Sequence, residues 1–165
     1  MGELFGTPAH PMLVHIPVVL LPLLAVAAIA MAAKPNLRRR FDWVLLGATL
    51  VIAAATWWAT QAGERLRDAL QPALGSKADR HIELGNQTAT LAWIFFAGAI
   101  CMVVMNRWLL PRLAKRTEVS SVLPARAAVV FACLVAIVGV ASAVWVIRTG
   151  HEGARITWDG VNVGG

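Results

Sequence analysis

Four apolar runs, Met12 to Ala33, Val44 to Ala62, Thr88 to Trp108 and Ala127 to Ile147, take up most of this chain. Each is close to the roughly 20 residues that a helix needs to cross a hydrocarbon core about 30 Å thick. Composition agrees: 58% of residues are hydrophobic and 15% charged, against about a quarter charged in soluble proteins. The expected fold is an all-α integral membrane protein. It is one four-transmembrane-helix bundle over residues 1–165, with helices at about 11–33, 43–62, 77–108 and 124–149 and a C-terminal tail at 150–165.

The net charge of +6 does not indicate nucleic acid, because the basic residues stand mainly beside helix ends, where membrane topology and anionic lipid explain them. Nine of the fifteen, Lys34, Arg38, Arg39, Arg40, Arg107, Arg112, Lys115, Arg116 and Arg126, belong to the first and third connections. By the positive-inside rule those connections are cytoplasmic, so both termini are expected to face outward, to the periplasm or exterior. Trp57, Trp58, Trp93 and Trp145 would then form the outer aromatic belt, and Trp43 and Trp108 the inner one. No basic segment precedes the first run, so it reads as a retained helix rather than a cleavable signal. Cys101 and Cys133 lie inside apolar runs without a Cys-x-x-Cys spacing and read as small packing residues.

Several local signals refine the helices. Pro17 and Pro22 free backbone carbonyls inside the first helix and predict a bend near its start. Ser76-Lys77-Ala78-Asp79 fits a capping box, so the third helix is expected from Lys77. At about 1.5 Å per residue it would exceed the hydrocarbon thickness, and so should tilt, project, or break near Gly85-Asn86. Gly139 and Ser142-Ala143 permit close approach along the fourth helix, and Gly150 suggests its end. Ile156 to Val163 alternates around Asp159-Gly160, the signal of a short C-terminal hairpin packed on the outer helix ends.

The chemistry rests with the four histidines, His10, His15, His81 and His151, each at the edge of an apolar run on the outer side. Imidazole is the commonest metal ligand and a haem axial ligand, because its neutral nitrogen donates a lone pair without bringing charge into a low-dielectric site. His15, one turn inside the first helix, is the leading candidate. In an up-down bundle the first and third helices are diagonal neighbours, so His15 and His81 would approach one ligand from two sides, assisted by His10 or His151. The bland alternatives are that His10 caps the first helix and that His151 bonds last-turn carbonyls of the fourth. Glu64 could orient a histidine through its second nitrogen, or pair with Arg65 or Arg67. There is no nucleophile–base spacing, phosphate loop or zincin motif, so an enzyme acting alone is disfavoured.

The opening His10-Pro11-Met12-Leu13-Val14-His15-Ile16-Pro17 and the closing Gly150-His151-Glu152-Gly153 through Val163, with Gly63-Glu64 and the His81 segment between them, resemble the bacterial four-helix membrane family catalogued as domain of unknown function 2231. The closing segment departs from the family pattern at Thr157 and Asp159-Gly160. Relatives joined to c-type cytochrome domains imply redox company. Together these readings give an expected membrane-embedded redox protein holding haem b, or else copper or zinc, at its periplasmic rim, with respiratory or cytochrome subunits as partners. The alternative is an accessory subunit without cofactor whose histidines and hairpin dock a larger membrane complex. A transporter is weaker, since four helices leave little room for a gated path unless a homo-oligomer supplies it.

Overall fold

The computed structural model describes residues 3–4, 6–116 and 122–158, with side chains placed for 6, 8–70, 76–113 and 125–158. A two-residue ladder, β1 (Glu3–Leu4) against β2 (Thr7–Pro8), turns at Gly6, whose φ of 76° is the left-handed conformation glycine allows. The helices follow as α1 (Ala9–Leu13), α2 (His15–Ala33), α3 (Pro35–Leu74), a 3-10 turn (Gly75–Ala78), α4 (Asp79–Val104), a π-helical turn (Met105–Leu109), α5 (Leu110–Arg116) and α6 (Val122–Trp158). Four helical stretches, Ala9–Ala33, Pro35–Leu70, Ser76–Leu113 and Ala125–Trp158, are long and apolar enough to cross a membrane. The chain is a multi-pass membrane protein.

Local chemistry explains the joints. Pro17 has no N–H to give Leu13, and the regular ladder is interrupted at Val14 between α1 and α2, where Val14 itself keeps helical dihedrals (φ −66°, ψ −21°). Lys34 is extended, as a residue before proline prefers, and Pro35 takes the first position of α3. One residue therefore makes the whole turn. The basic segment Arg38-Arg39-Arg40 lies on α3, which begins well before the expected 43 and ends well beyond 62.

Two other expectations need correction. The capping box does not form: α4 starts at Asp79 behind Ala78 with no side-chain cap, and it runs through Gly85 and Asn86 without a break. Gly150 does not end α6, which continues through Gly153 to Trp158. Glycine within a helix costs only about 1 kcal/mol relative to alanine, and tertiary contacts outweigh that. Ile156, Thr157 and Trp158, the first arm of the expected C-terminal hairpin, are helical, and the rest of that hairpin lies outside the described residues.

Neighbouring helices pack in cyclic order, α2 on α3, α3 on α4, α4 on α6 and α6 on α2. This leaves the first and third spans diagonal, as an up-down bundle requires. Leu21, Ile52, Phe95, Ala99, Ala132, Val135 and Val146 form the core, while Val26, Val44, Val130 and Ile137 face outward to lipid. Cys101 and Cys133 are exposed on that outer surface as free thiols, not packed in the core. Buried Thr49, Thr56, Thr88 and Ser142 return their hydroxyl protons to carbonyls four residues earlier, at 2.7–2.9 Å, so they bring no unmet polarity into the bundle.

Gly139 of α6 packs against both neighbouring spans, α4 and α2. A Cβ there would stand 2.9 Å from Phe95 Cζ and 3.3 Å from the Ala25 Cα, one a packed ring and the other backbone. Gly139→Val is therefore expected to destabilise the bundle by about 1–3 kcal/mol through overpacking, whereas Gly47→Val, with nothing within 4 Å of its Cβ, should be nearly neutral by comparison. Reversible unfolding in mixed micelles checks this.

Candidate functional site

A cavity of about 490 Å³ opens between all four spans at the end of the bundle where α1 begins and α6 finishes. His10 and His81 meet here. Their rings stand edge to face, with centroids 5.9 Å apart and planes at 89°.

Both histidines are held in the same way. His10 Nδ1–H donates to Ala59 O of α3 at 2.8 Å, and a Cβ on Gly63, one turn further along α3, would fall 2.9 Å from His10 Cε1 and Nδ1. His81 Nδ1–H donates to Thr149 O of α6 at 3.0 Å, and a Cβ on Gly153, again one turn on, would fall 2.9 Å from His81 Cε1. Each ring thus occupies the space that a side chain on the facing helix would need. The two hairpins of the bundle repeat one device, histidine against carbonyl and glycine.

The carbonyl partners decide the tautomer. A carbonyl can only accept, so Nδ1 carries the proton in both rings and the neutral imidazoles keep their lone pairs on Nε2. A backbone carbonyl on Nδ1–H is how ligating histidines are commonly oriented and made more basic. Around the rings the cavity is mostly apolar, with Pro17, Val18 and Val146 among its walls, and with Thr56, Thr60, Asn86, Glu64 and Arg67 as its polar groups.

The other two sequence candidates lie elsewhere. His15 is exposed, and its Nδ1–H donates from the start of α2 back to Pro11 O of α1 at 2.6 Å. His151 is exposed, and neither residue lines the cavity. Helical phase accounts for both. His15 is five residues from His10, about 140° round a helix, and His151 is two from Gly153, about 200° round. His10 does not cap α1 but reaches across to α3, and His151 lies within α6 rather than beyond it.

Glu64 faces the cavity, where Asn86 Nδ2 donates to its Oε1 at 3.5 Å. Arg67, one of its two expected partners, joins Asp79 at 2.6 Å, and Arg67 Nε is buried without a hydrogen-bond partner among the described residues at the cavity wall. Among the described residues no three of His, Cys, Asp and Glu gather as a metal-ion cluster.

Gly63, Gly153, Ala59 and Thr149 carry the histidines, and residue type alone gives them no role. Their signal was phase: Thr56, Ala59 and Gly63 recur at helical spacing on α3, as Val146, Thr149 and Gly153 do on α6. Over residues 6–164 the chain matches the model of a family described as predicted membrane protein, DUF2231, and it belongs to that family. Neither the curated proteins nor the solved structures contain a match to it.

Proposed function

For this member of the DUF2231 family, we propose that His10 and His81 are the axial ligands of a haem b in a membrane-embedded electron-transfer protein. The observation that carries the reading is the pair itself, two imidazoles fixed by backbone carbonyls with both Nε2 lone pairs uncommitted over one cavity. Copper or zinc would want three or four protein ligands, and among the described residues two histidines converge. Haem iron arrives with four nitrogens and needs two more. His10 and His81, whose ring centroids are 5.9 Å apart, would hold the iron of a bound haem through their Nε2 atoms.

The rest of the cavity suits such a group. Its apolar walls match a macrocycle, and its volume lies within the range of small-molecule sites. The unmatched Arg67 Nε offers a donor to a propionate. When bound, haem supplies one-electron chemistry. The protein contributes orientation through Ala59 O and Thr149 O and a mostly apolar wall from the four helices. With the positive-inside rule placing this end in the periplasm, the electron partner is a cytochrome or respiratory subunit on that side.

Titration of the purified protein with hemin tests the assignment. Saturation at one haem per chain is expected, with His10→Ala and His81→Ala each weakening binding by at least about tenfold and His15→Ala and His151→Ala leaving it unchanged. Protons and iron compete for Nε2, so acidification should release the haem. Equal binding by all four variants would overturn the assignment. The same hydrogen bonds also pin α1 to α3 and α4 to α6, which supports the second reading, an accessory subunit in which the histidines are structural.

A further inference from the structure

Among the described residues Arg38 is a buried cation with no carboxylate bound to it. It stands 25 residues before Gly63 on α3, about 37 Å away along the axis, at the basic end of the bundle. Only 5% of it is exposed, its Nη1 reaches Met31 O at 3.3 Å, and its Nε is buried without a partner. Asp42, one turn further on, is fully buried, yet both of its oxygens are taken. Arg107 grips it from the π-helical turn, Nε to Oδ2 at 3.0 Å and Nη2 to Oδ1 at 2.7 Å, and the Trp43 N–H adds a third bond at 2.9 Å. The Asp42 carboxylate is thus committed to Arg107. Arg107 also donates to Arg39 O at 2.6 Å, so its valences are well used and those of Arg38 are not.

The missing partner must be an acceptor. Asn106 Nδ2, next to Arg107, is likewise buried and unpartnered, so the orphaned side-chain atoms described at this end are donors. Burying a guanidinium with open valences is expensive unless a negative group meets it. Lys34, Arg39, Arg40 and Arg112 add positive charge nearby on the exposed surface. Trp43 and Trp108, edge to face at 6.3 Å and both exposed, mark the membrane interface on this side. Arg38 lies five residues beyond Trp43 toward the end, about 7.5 Å and so level with headgroups.

From this we infer that Arg38 helps form a site for a phosphate anion, supplied by an anionic phospholipid headgroup of the adjoining leaflet or by solution. A phosphate offers several acceptor oxygens and the charge that Asp42 cannot supply twice. The site is separate from the histidine cavity and does not depend on what that cavity holds.

The test uses the full chain in maltoside micelles, which carry no phosphate. Phosphatidylglycerol is titrated in, with diacylglycerol of the same chains as the uncharged control and inorganic phosphate as the soluble anion. The wild-type Tm should rise by about 3 °C or more with phosphatidylglycerol and not with diacylglycerol. Arg38→Met should abolish the rise, and Arg39→Met, on the exposed side, should keep most of it. A rise with phosphatidylglycerol alone assigns the lipid, and a rise with inorganic phosphate as well assigns a site open to solution. Should no anion move the wild-type Tm, the inference falls. The wild-type titration decides between these outcomes even where Arg38→Met fails to fold.

Discussion

Arg107→Met is expected to lower Tm by about 10 °C, the largest single-site effect on stability in this bundle. The cost arises at Asp42, a carboxylate with no exposed surface that would lose both guanidinium bonds and stay charged and buried. Asp42→Asn should cost clearly less, because the Arg107 side chain is 41% exposed and can turn to water or headgroups. The double variant should recover much of the loss, since removing both members of a buried pair is far cheaper than removing one. Thermal unfolding of the four proteins closes the cycle. An Asp42→Asn loss equal to that of Arg107→Met would show that the pair matters only as a surface tether.

The second large effect concerns the glycine cradles. Gly63→Ala and Gly153→Ala place a Cβ 2.9 Å from the ring atoms of His10 and His81, so each ring must leave its carbonyl. Haem affinity is expected to fall tenfold to a hundredfold in either variant, the usual range when a bond that orients a ligating histidine is lost. Alanine is the better helix former, so the helices themselves should not suffer. Gly150→Ala is the control, because its Cβ meets nothing within 4 Å. Equal affinity in all three would separate the glycines from the site.

Much of this fold is legible in the residues, for reasons that also show where legibility stops. Length and apolarity reveal a spanning segment because the bilayer sets both. They say little about helix ends outside the hydrocarbon, so α3 extends past both of its expected bounds and α6 passes the glycine expected to stop it. Pro35 was the clue at one end, since proline at a first helical position starts a helix rather than delaying it.

For the site, residue type identified histidine and phase chose among the four. A spanning helix is apolar on every side, so apolar periodicity does not reveal which side faces in. Small and hydroxyl residues do, because they allow close approach. His10 shares the inward stripe of Pro17, Leu21, Ala25 and Ala28, while His15 lies off it. His81 shares that of Leu84, Thr88, Ala92 and Phe95. Asp42 escaped notice for another reason: an acid among basic residues reads as surface charge until its burial is known.

The most direct test of the central claim is an absorption spectrum of the protein purified from membranes, air-oxidised and then reduced with dithionite, with iron, copper and zinc determined on the same sample. The account predicts about one haem iron per chain and a six-coordinate spectrum that sharpens on reduction, lost with His10 and His81 replaced and kept with His15 and His151 replaced. A flat spectrum from folded protein with no stoichiometric metal would contradict it, and would leave the two histidines as ties between helices.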